Sequence, residues 1–330
     1  MRVLAAFDSF KGTVSAPAIG RQLTKVLIAH EVVACPLSDG GEGFVDVLAE
    51  QWEEVEAVDA LGRPCSAKLG IRDDIVIIEA AQVIGLAMIG GAAGNDPVRA
   101  DSSGVTTLLE SAVRMRPRAV LVGCGGSATT DGGIGLVRSA EQRGLVPCPV
   151  PLRAALDVRT VFTQAARVFG PQKGASELEV HLLSVRLEAL RRWYQRRYGV
   201  DVDRHPGTGA AGGLGGALLV IGGALTSGFG EVAERVGLDE RIRAADVVVT
   251  GEGCLDATSL VGKVVGGVLE RAEHFDKPVI VVVGSASDAT ARHVRERGHK
   301  VLVLAEHFGY ERSLGTPLDL IAELVVSVLG

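Results

Sequence analysis

Thirteen consecutive residues, Gly123-Cys124-Gly125-Gly126-Ser127-Ala128-Thr129-Thr130-Asp131-Gly132-Gly133-Ile134-Gly135, contain six glycines, three hydroxyls and one carboxylate. Glycines let backbone amides turn toward a ligand, and hydroxyls beside a carboxylate add anion contacts and metal coordination. Gly125, Gly126, Ser127, Thr129 and Thr130 therefore read as a phosphate loop. A second glycine-rich stretch, residues 207–216, precedes the apolar run Ala217 to Ile221. Gly212 and Gly213 there could admit an anion to a helix N-terminus, or let two elements pack closely. Three more loops follow short apolar runs: Asp8-Ser9-Phe10-Lys11-Gly12, Ser38-Asp39-Gly40-Gly41-Glu42-Gly43 and Thr250-Gly251-Glu252-Gly253-Cys254-Leu255-Asp256. Lys11 can neutralise a transferring phosphate, and Asp8, Asp39, Glu42, Glu252 and Asp256 can hold Mg²⁺ directly or through water, as can Asp131. Helix capping is the competing use of Asp39 and Asp131. Lys263 follows Gly262 as a further phosphate contact, although the segment lacks the Walker A spacing. Gln172 and Lys173 lie in the turn Phe169-Gly170-Pro171-Gln172-Lys173-Gly174-Ala175, where they can meet a carboxylate or phosphate, or face water.

These loops need strands and helices to present them. Val3 to Ala6 reads as a strand ending at Asp8, and Ser15 can cap a helix carrying Ile19, Leu23, Val26 and Leu27. Val32 to Leu37 and the helical spacing of Phe44, Val47 and Leu48 repeat the alternation. So do the runs at Val247–Thr250, Val279–Val283 and Val301–Leu304. Such alternation implies buried parallel strands with right-handed crossovers, whose carboxyl ends are where open α/β sheets place ligands. Between these ends, Val55 to Ile78 is β-rich, with turn signals at Gly62-Arg63-Pro64 and Asp73-Asp74. The expected fold class is thus α/β with two domains: a discontinuous Rossmann-like parallel-sheet domain from residues 1–55 and 240–330, and an inserted α+β domain, 56–239.

Composition narrows the function classes. A 330-residue chain can bury a sizeable core, and its net charge of −6 opposes generalised binding to nucleic acid or an anionic membrane. Five scattered cysteines without a CxxC pair indicate neither a disulfide framework nor a zinc site. The N-terminus reaches Asp8 too soon for a signal peptide and no apolar run approaches membrane-spanning length, so a soluble cytoplasmic protein is expected. A helix over about Ser176 to Tyr198 ends in Arg191, Arg192, Arg196 and Arg197, read as a solvated face. Gly123 to Ala128 also fits G-x-G-x-x-A, which leaves a nicotinamide-dependent dehydrogenase as a rival, but Asp131-Gly132-Gly133 interrupts the helix that this fingerprint requires.

Six ordered blocks resemble the type-one glycerate kinases along nearly the whole chain. They are Asp8-Ser9-Phe10-Lys11-Gly12, Asp39-Gly40-Gly41-Glu42-Gly43, residues 125–133, Val168 to Ala175, residues 209–215 and Thr250-Gly251-Glu252-Gly253. The resemblance implies ATP-dependent phosphorylation of D-glycerate, usually at the 2-hydroxyl, by a two-domain protein with its site in the interdomain cleft. On this reading the glycine-loop amides, Lys11 and Lys263 hold ATP, and Asp39, Asp131 or Asp256 coordinates Mg²⁺. Asp39 is the first choice to accept the substrate proton, and Lys173 or an arginine would clamp the substrate carboxylate. The chain departs from the family at Ser38, where alanine is usual, and at Thr258, where the family's DxQTxxGK pattern has glutamine. Residues 157–166 replace a stretch resembling NPLxGxxGAA. These departures keep two alternatives open, a kinase of a related hydroxy acid and a metabolite sensor without catalysis. Association as a homodimer is also left open.

Overall fold

A computed structural model describes residues 1–330, which divide into two compact units, residues 1–39 with 229–330 and residues 40–228. The strands of the chain are β1 (Arg2–Phe7), β2 (Glu31–Ala34), β3 (Gln51–Val58), β4 (Pro64–Arg72), β5 (Ile75–Glu79) and β6 (Ala119–Gly123). They continue as β7 (Leu152–Leu156), β8 (Ala224–Ser227), β9 (Val247–Leu255), β10 (Val279–Ala286) and β11 (Lys300–Val303).

The first unit carries a fully parallel sheet in the order β11-β10-β9-β1-β2. Because β1 leads to β2 on one side and the rest of the sheet grows on the other, strand order reverses between β1 and β9. Ligands bind outside the carboxyl ends of such a switch point. Val3, Ala5 and Phe7 are buried on one face of β1, and Leu4 and Ala6 on the other, the two-sided burial that a parallel sheet requires. Helix Ala16–Val26 covers one face through Ile19 and Leu23, in a core with Ile280, Val282, Leu304 and Ile321.

The second unit holds a mixed sheet, β3-β4-β5-β6-β7-β8, antiparallel through β5 and parallel from β5 to β8. The two turn signals fall where expected: Asp59 accepts from the amides of Leu61 and Arg63, and Asp73 adopts φ 49° between β4 and β5. The long helix is Glu177–Tyr198, begun by a capping box in which Ser176 Oγ accepts from Glu179 N and Glu179 Oε2 accepts from Ser176 N. Its Leu183, Leu187 and Tyr194 enter a core with Phe162, Leu136 and Val122. Its terminal arginines are not all solvated: Arg191 makes a bidentate pair with Asp201 at 2.9 and 3.1 Å.

The unit junctions, 39/40 and 228/229, lie earlier than the sequence places them. Gly125 N donates to Gly40 O, and Glu79 at the end of β5 accepts from Gly43 N and Val45 N, which ties residues 40–48 to the second unit. These long-range bonds leave no local sequence signal. All five cysteines are free. No helix is long and apolar enough to cross a membrane.

Candidate functional site

In the first unit, parallel pairing sets Ala6 beside Thr250 and Phe7 beside Gly251, and Asp8 N donates to Gly251 O at 3.1 Å. Asp8 thus follows the carboxyl end of β1, whereas Glu252 lies within β9, opposite Val283 of β10 and just beyond the last β1 partner; the stretch Thr250–Asp256, expected as a loop, continues as strand through Leu255. Burial pushes the Asp8 carboxyl well above its ordinary value; Asp39 and Glu252 reinforce the shift, while Lys11 and the Ser9 amide oppose it. Burial likewise lifts Glu252 to about 7, opposed by a hydrogen bond from Ser259 and by Lys263 and Lys11, and assisted by Asp39. The charges that act on Asp8 and Glu252, those of Asp39, Lys11 and Lys263, thus gather with them in one cluster of the first unit. Asp8 and Asp39 are buried there, and Lys11 is exposed. Ser9 N donates to Asp8 Oδ1 at 2.7 Å, holding that carboxylate in place.

Asp256 behaves differently. Its Oδ1 accepts from Thr258 N and Oγ1 and from Ser259 N, capping a short turn at Ala257–Leu260. Those bonds, with the charge of Lys263, hold its carboxyl below the usual range against the effect of burial. Thr258, which stands where the resemblance expects glutamine, is thus a partner of Asp256.

The second unit builds the glycine loop after β6. Amides of Gly126, Ser127, Thr129, Thr130 and Asp131 donate to no protein acceptor, the condition of an anion-binding loop. Gly126 is exposed with φ 69°. Below the loop, Lys173 is 3% exposed, and its Nζ donates to Ser127 Oγ at 3.0 Å and Thr129 O at 2.6 Å. Burial draws this ammonium down to about 7, with the charge of Asp131 acting in the opposite sense. Neighbouring Gln172 is exposed.

Asp131 does act as a cap. Its carboxylate accepts from Gly133 N, Gly135 N, Ser102 N and Ser102 Oγ, and joins the starts of helices Gly104–Arg114 and Ile134–Gln142. Burial still raises its carboxyl, with Ser102 and the two glycine amides opposing. Gly212 and Gly213 sit inside helix Ala210–Val220 as a left-handed kink, φ 67° and 102°. A Cβ on Gly212 would overlap Thr129 O, and one on Gly213 would press on Gly132. These two glycines are buried and seat one glycine-rich segment against the other, the close-packing use. Glu42 is exposed in the second unit.

Two supporting residues escaped the sequence reading. Glu79 caps helix Phe44–Leu48 through its amide contacts, and burial lifts its carboxyl to about 7 against those bonds. Its signal was present, since an apolar strand ends on an acid just as β1 runs into Asp8. Tyr194 is fully buried and its hydroxyl donates to Gly132 O at 2.9 Å. Phe162, from the departing 157–166 stretch, packs edge-on to it at 5.8 Å.

No group of three or more acidic, histidine or cysteine side chains stands close enough to enclose a metal ion. Mg²⁺ usually takes only one or two carboxylates and completes its shell with water and phosphate oxygens. The oxygen donors of Asp8, Asp39 and Glu252 suit it, and Glu252 Oε1 is buried without a hydrogen-bond partner.

The family model described as the glycerate kinase family matches residues 3–145 and 147–323. This chain belongs to the glycerate kinase family. A glycerate 2-kinase of Escherichia coli K12 is 34% identical, with 87% of this chain and 86% of that protein covered. An uncharacterised protein of Mycobacterium bovis is 36% identical over 94% of this chain and 86% of its own. A crystal structure from Salmonella typhimurium LT2, assigned as a glycerate kinase 2, covers all of this chain and 98% of its own with a TM-score of 0.74 and 28% identity. Membership makes this chain a kinase of the two-domain glycerate kinase fold, and leaves the dehydrogenase reading of Gly123 to Ala128 without support.

Proposed function

We propose that this chain phosphorylates D-glycerate at its 2-hydroxyl with ATP as donor and Mg²⁺ as counter-ion. The observation that carries the reading is the cluster of Asp8, Lys11, Asp39, Glu252 and Lys263 around a topological switch point, in a chain of the glycerate kinase family. Bound Mg²⁺ would neutralise charge on the phosphates. One or two of the carboxylates of Asp8, Asp39 and Glu252 would hold it, with water and phosphate oxygens completing its shell, while Lys11 and Lys263 bind phosphate oxygens, so that positioning and charge neutralisation lower the barrier. Asp39 accepts the proton of the acceptor hydroxyl. In the glycine loop, the free amides of Gly126, Ser127, Thr129 and Thr130 bind anionic oxygens, with Lys173 supplying positive charge beneath them. Asp131 and Asp256 orient their loops as caps, Gly212 and Gly213 give the glycine loop its seat, and the exposed Gln172 contacts substrate.

The test is ADP release from ATP and Mg²⁺ with D-glycerate, with ³¹P NMR assigning the product as 2- or 3-phosphoglycerate. Asp39→Asn and Lys11→Ala are expected to lower turnover by about a hundredfold or more. Unchanged turnover in both would refute the assignment. ATP binding without glycerate-dependent ADP would move the reading to another hydroxy acid or to a sensor.

A further inference from the structure

The second unit contains a cavity of about 540 Å³ between the long Glu177–Tyr198 helix and the starts of helices Gly104–Arg114 and Ile134–Gln142. That volume lies in the range of small-molecule sites. Leu190 and Trp193 give it an apolar wall, and Arg99, Arg138 and Arg186 stand around it. None of the three arginines is ion-paired; Arg186 donates to Val98 O at 3.0 Å. The two carboxylates of the cavity are already engaged, Asp131 with the four donors named above and Asp101 Oδ1 with Ser103 N. Thr130 also lines the cavity; it is 1% exposed and its Oγ1 has no hydrogen-bond partner. Three cations against two committed carboxylates leave one positive charge to match, and an unpartnered buried hydroxyl adds a polar anchor.

We propose that this cavity is a second small-molecule site, for a monocarboxylate with an aromatic or branched apolar body. The carboxylate pairs with Arg138 and Arg186, for which the planar guanidinium is suited, and the body lies against Leu190 and Trp193. Thr130 belongs to the glycine loop, so an occupant touches that loop.

Trp193 supplies the readout. The chain has two tryptophans, and Trp52 is 64% exposed, so Trp52→Phe leaves Trp193 as the single reporter. Titrating this variant with benzoate and with isovalerate is expected to give a saturable change in fluorescence with at least one of them. Benzamide, the neutral isostere of benzoate, and isovaleramide are expected to bind about tenfold more weakly or not at all. Arg138→Gln combined with Arg186→Gln in the same background is expected to weaken binding at least about tenfold, while an unchanged melting temperature without ligand shows that the fold persists. Absence of a saturable signal with both acids overturns the proposal. So does equal response to acid and amide, or an unchanged response when the two arginines are removed.

Discussion

Replacing Lys173 by methionine tests whether a charged side chain really lies beneath the glycine loop. The lysine is almost fully enclosed, and burial lowers its proton affinity from the ordinary 10.5 to about 7. A difference of that size corresponds to about 5 kcal/mol disfavouring the charged form in the folded chain. Between these two values the unfolded chain binds the extra proton, so stability rises with pH from about 7 to about 10.5, and below about 7 the whole penalty stands. From pH 7 to pH 9 the native protein should gain about 2 kcal/mol from this group alone. Lys173→Met removes that penalty but leaves Ser127 Oγ and Thr129 O without their donor, which costs about 1–3 kcal/mol each. The two effects nearly offset at neutral pH, so the informative quantity is the pH dependence of the difference between the proteins. Both tryptophans lie in the second unit, and their fluorescence during urea denaturation reports that unit. Native protein minus variant should become more favourable by about 2 kcal/mol between pH 7 and pH 9. In ¹³C NMR, one of the seven lysine Cε signals should titrate near neutrality and vanish in the variant. Parallel stability curves, with every lysine titrating near its ordinary value, would refute the argument.

Other consequences follow from the way the loop is seated. Gly212→Ala places a Cβ on the Thr129 carbonyl oxygen at φ 67°, and should destabilise the second unit by about 2–4 kcal/mol in urea; a change within about 0.5 kcal/mol would contradict the packing. Tyr194→Phe keeps the buried ring but removes the donor to Gly132 O, so a loss of about 1 kcal/mol is expected from thermal melting, and an unchanged melting temperature would mean that this bond is not formed.

Much of the architecture was legible because its causes are local. The apolar runs Val3–Ala6 and Val247–Thr250 announced parallel strands, and the stretch from about Ser176 to Tyr198 announced the long helix. The acids were harder to distinguish, since an aspartate before glycines has the same local pattern whether it caps a helix or faces a ligand. Only the fold separated Asp131 and Asp256, whose oxygens are engaged by several nearby amides and hydroxyls, from Glu252, whose Oε1 is buried without a partner. Lys173 read equally well as a surface cation, because burial is a property of the whole packed unit.

Sequence by itself determined the parallel α/β ends, the β-rich middle, the glycine-loop positions and the family resemblance, all carried by short-range periodicity and motif order. Tertiary structure alone decided that residues 40–48 join the second unit, that Glu79 caps them, that Lys173 lies under the glycine loop, and that β1 and β9 meet at a switch point. These outcomes depend on hydrogen bonds and desolvation between residues far apart in the chain, and no local pattern records such partners.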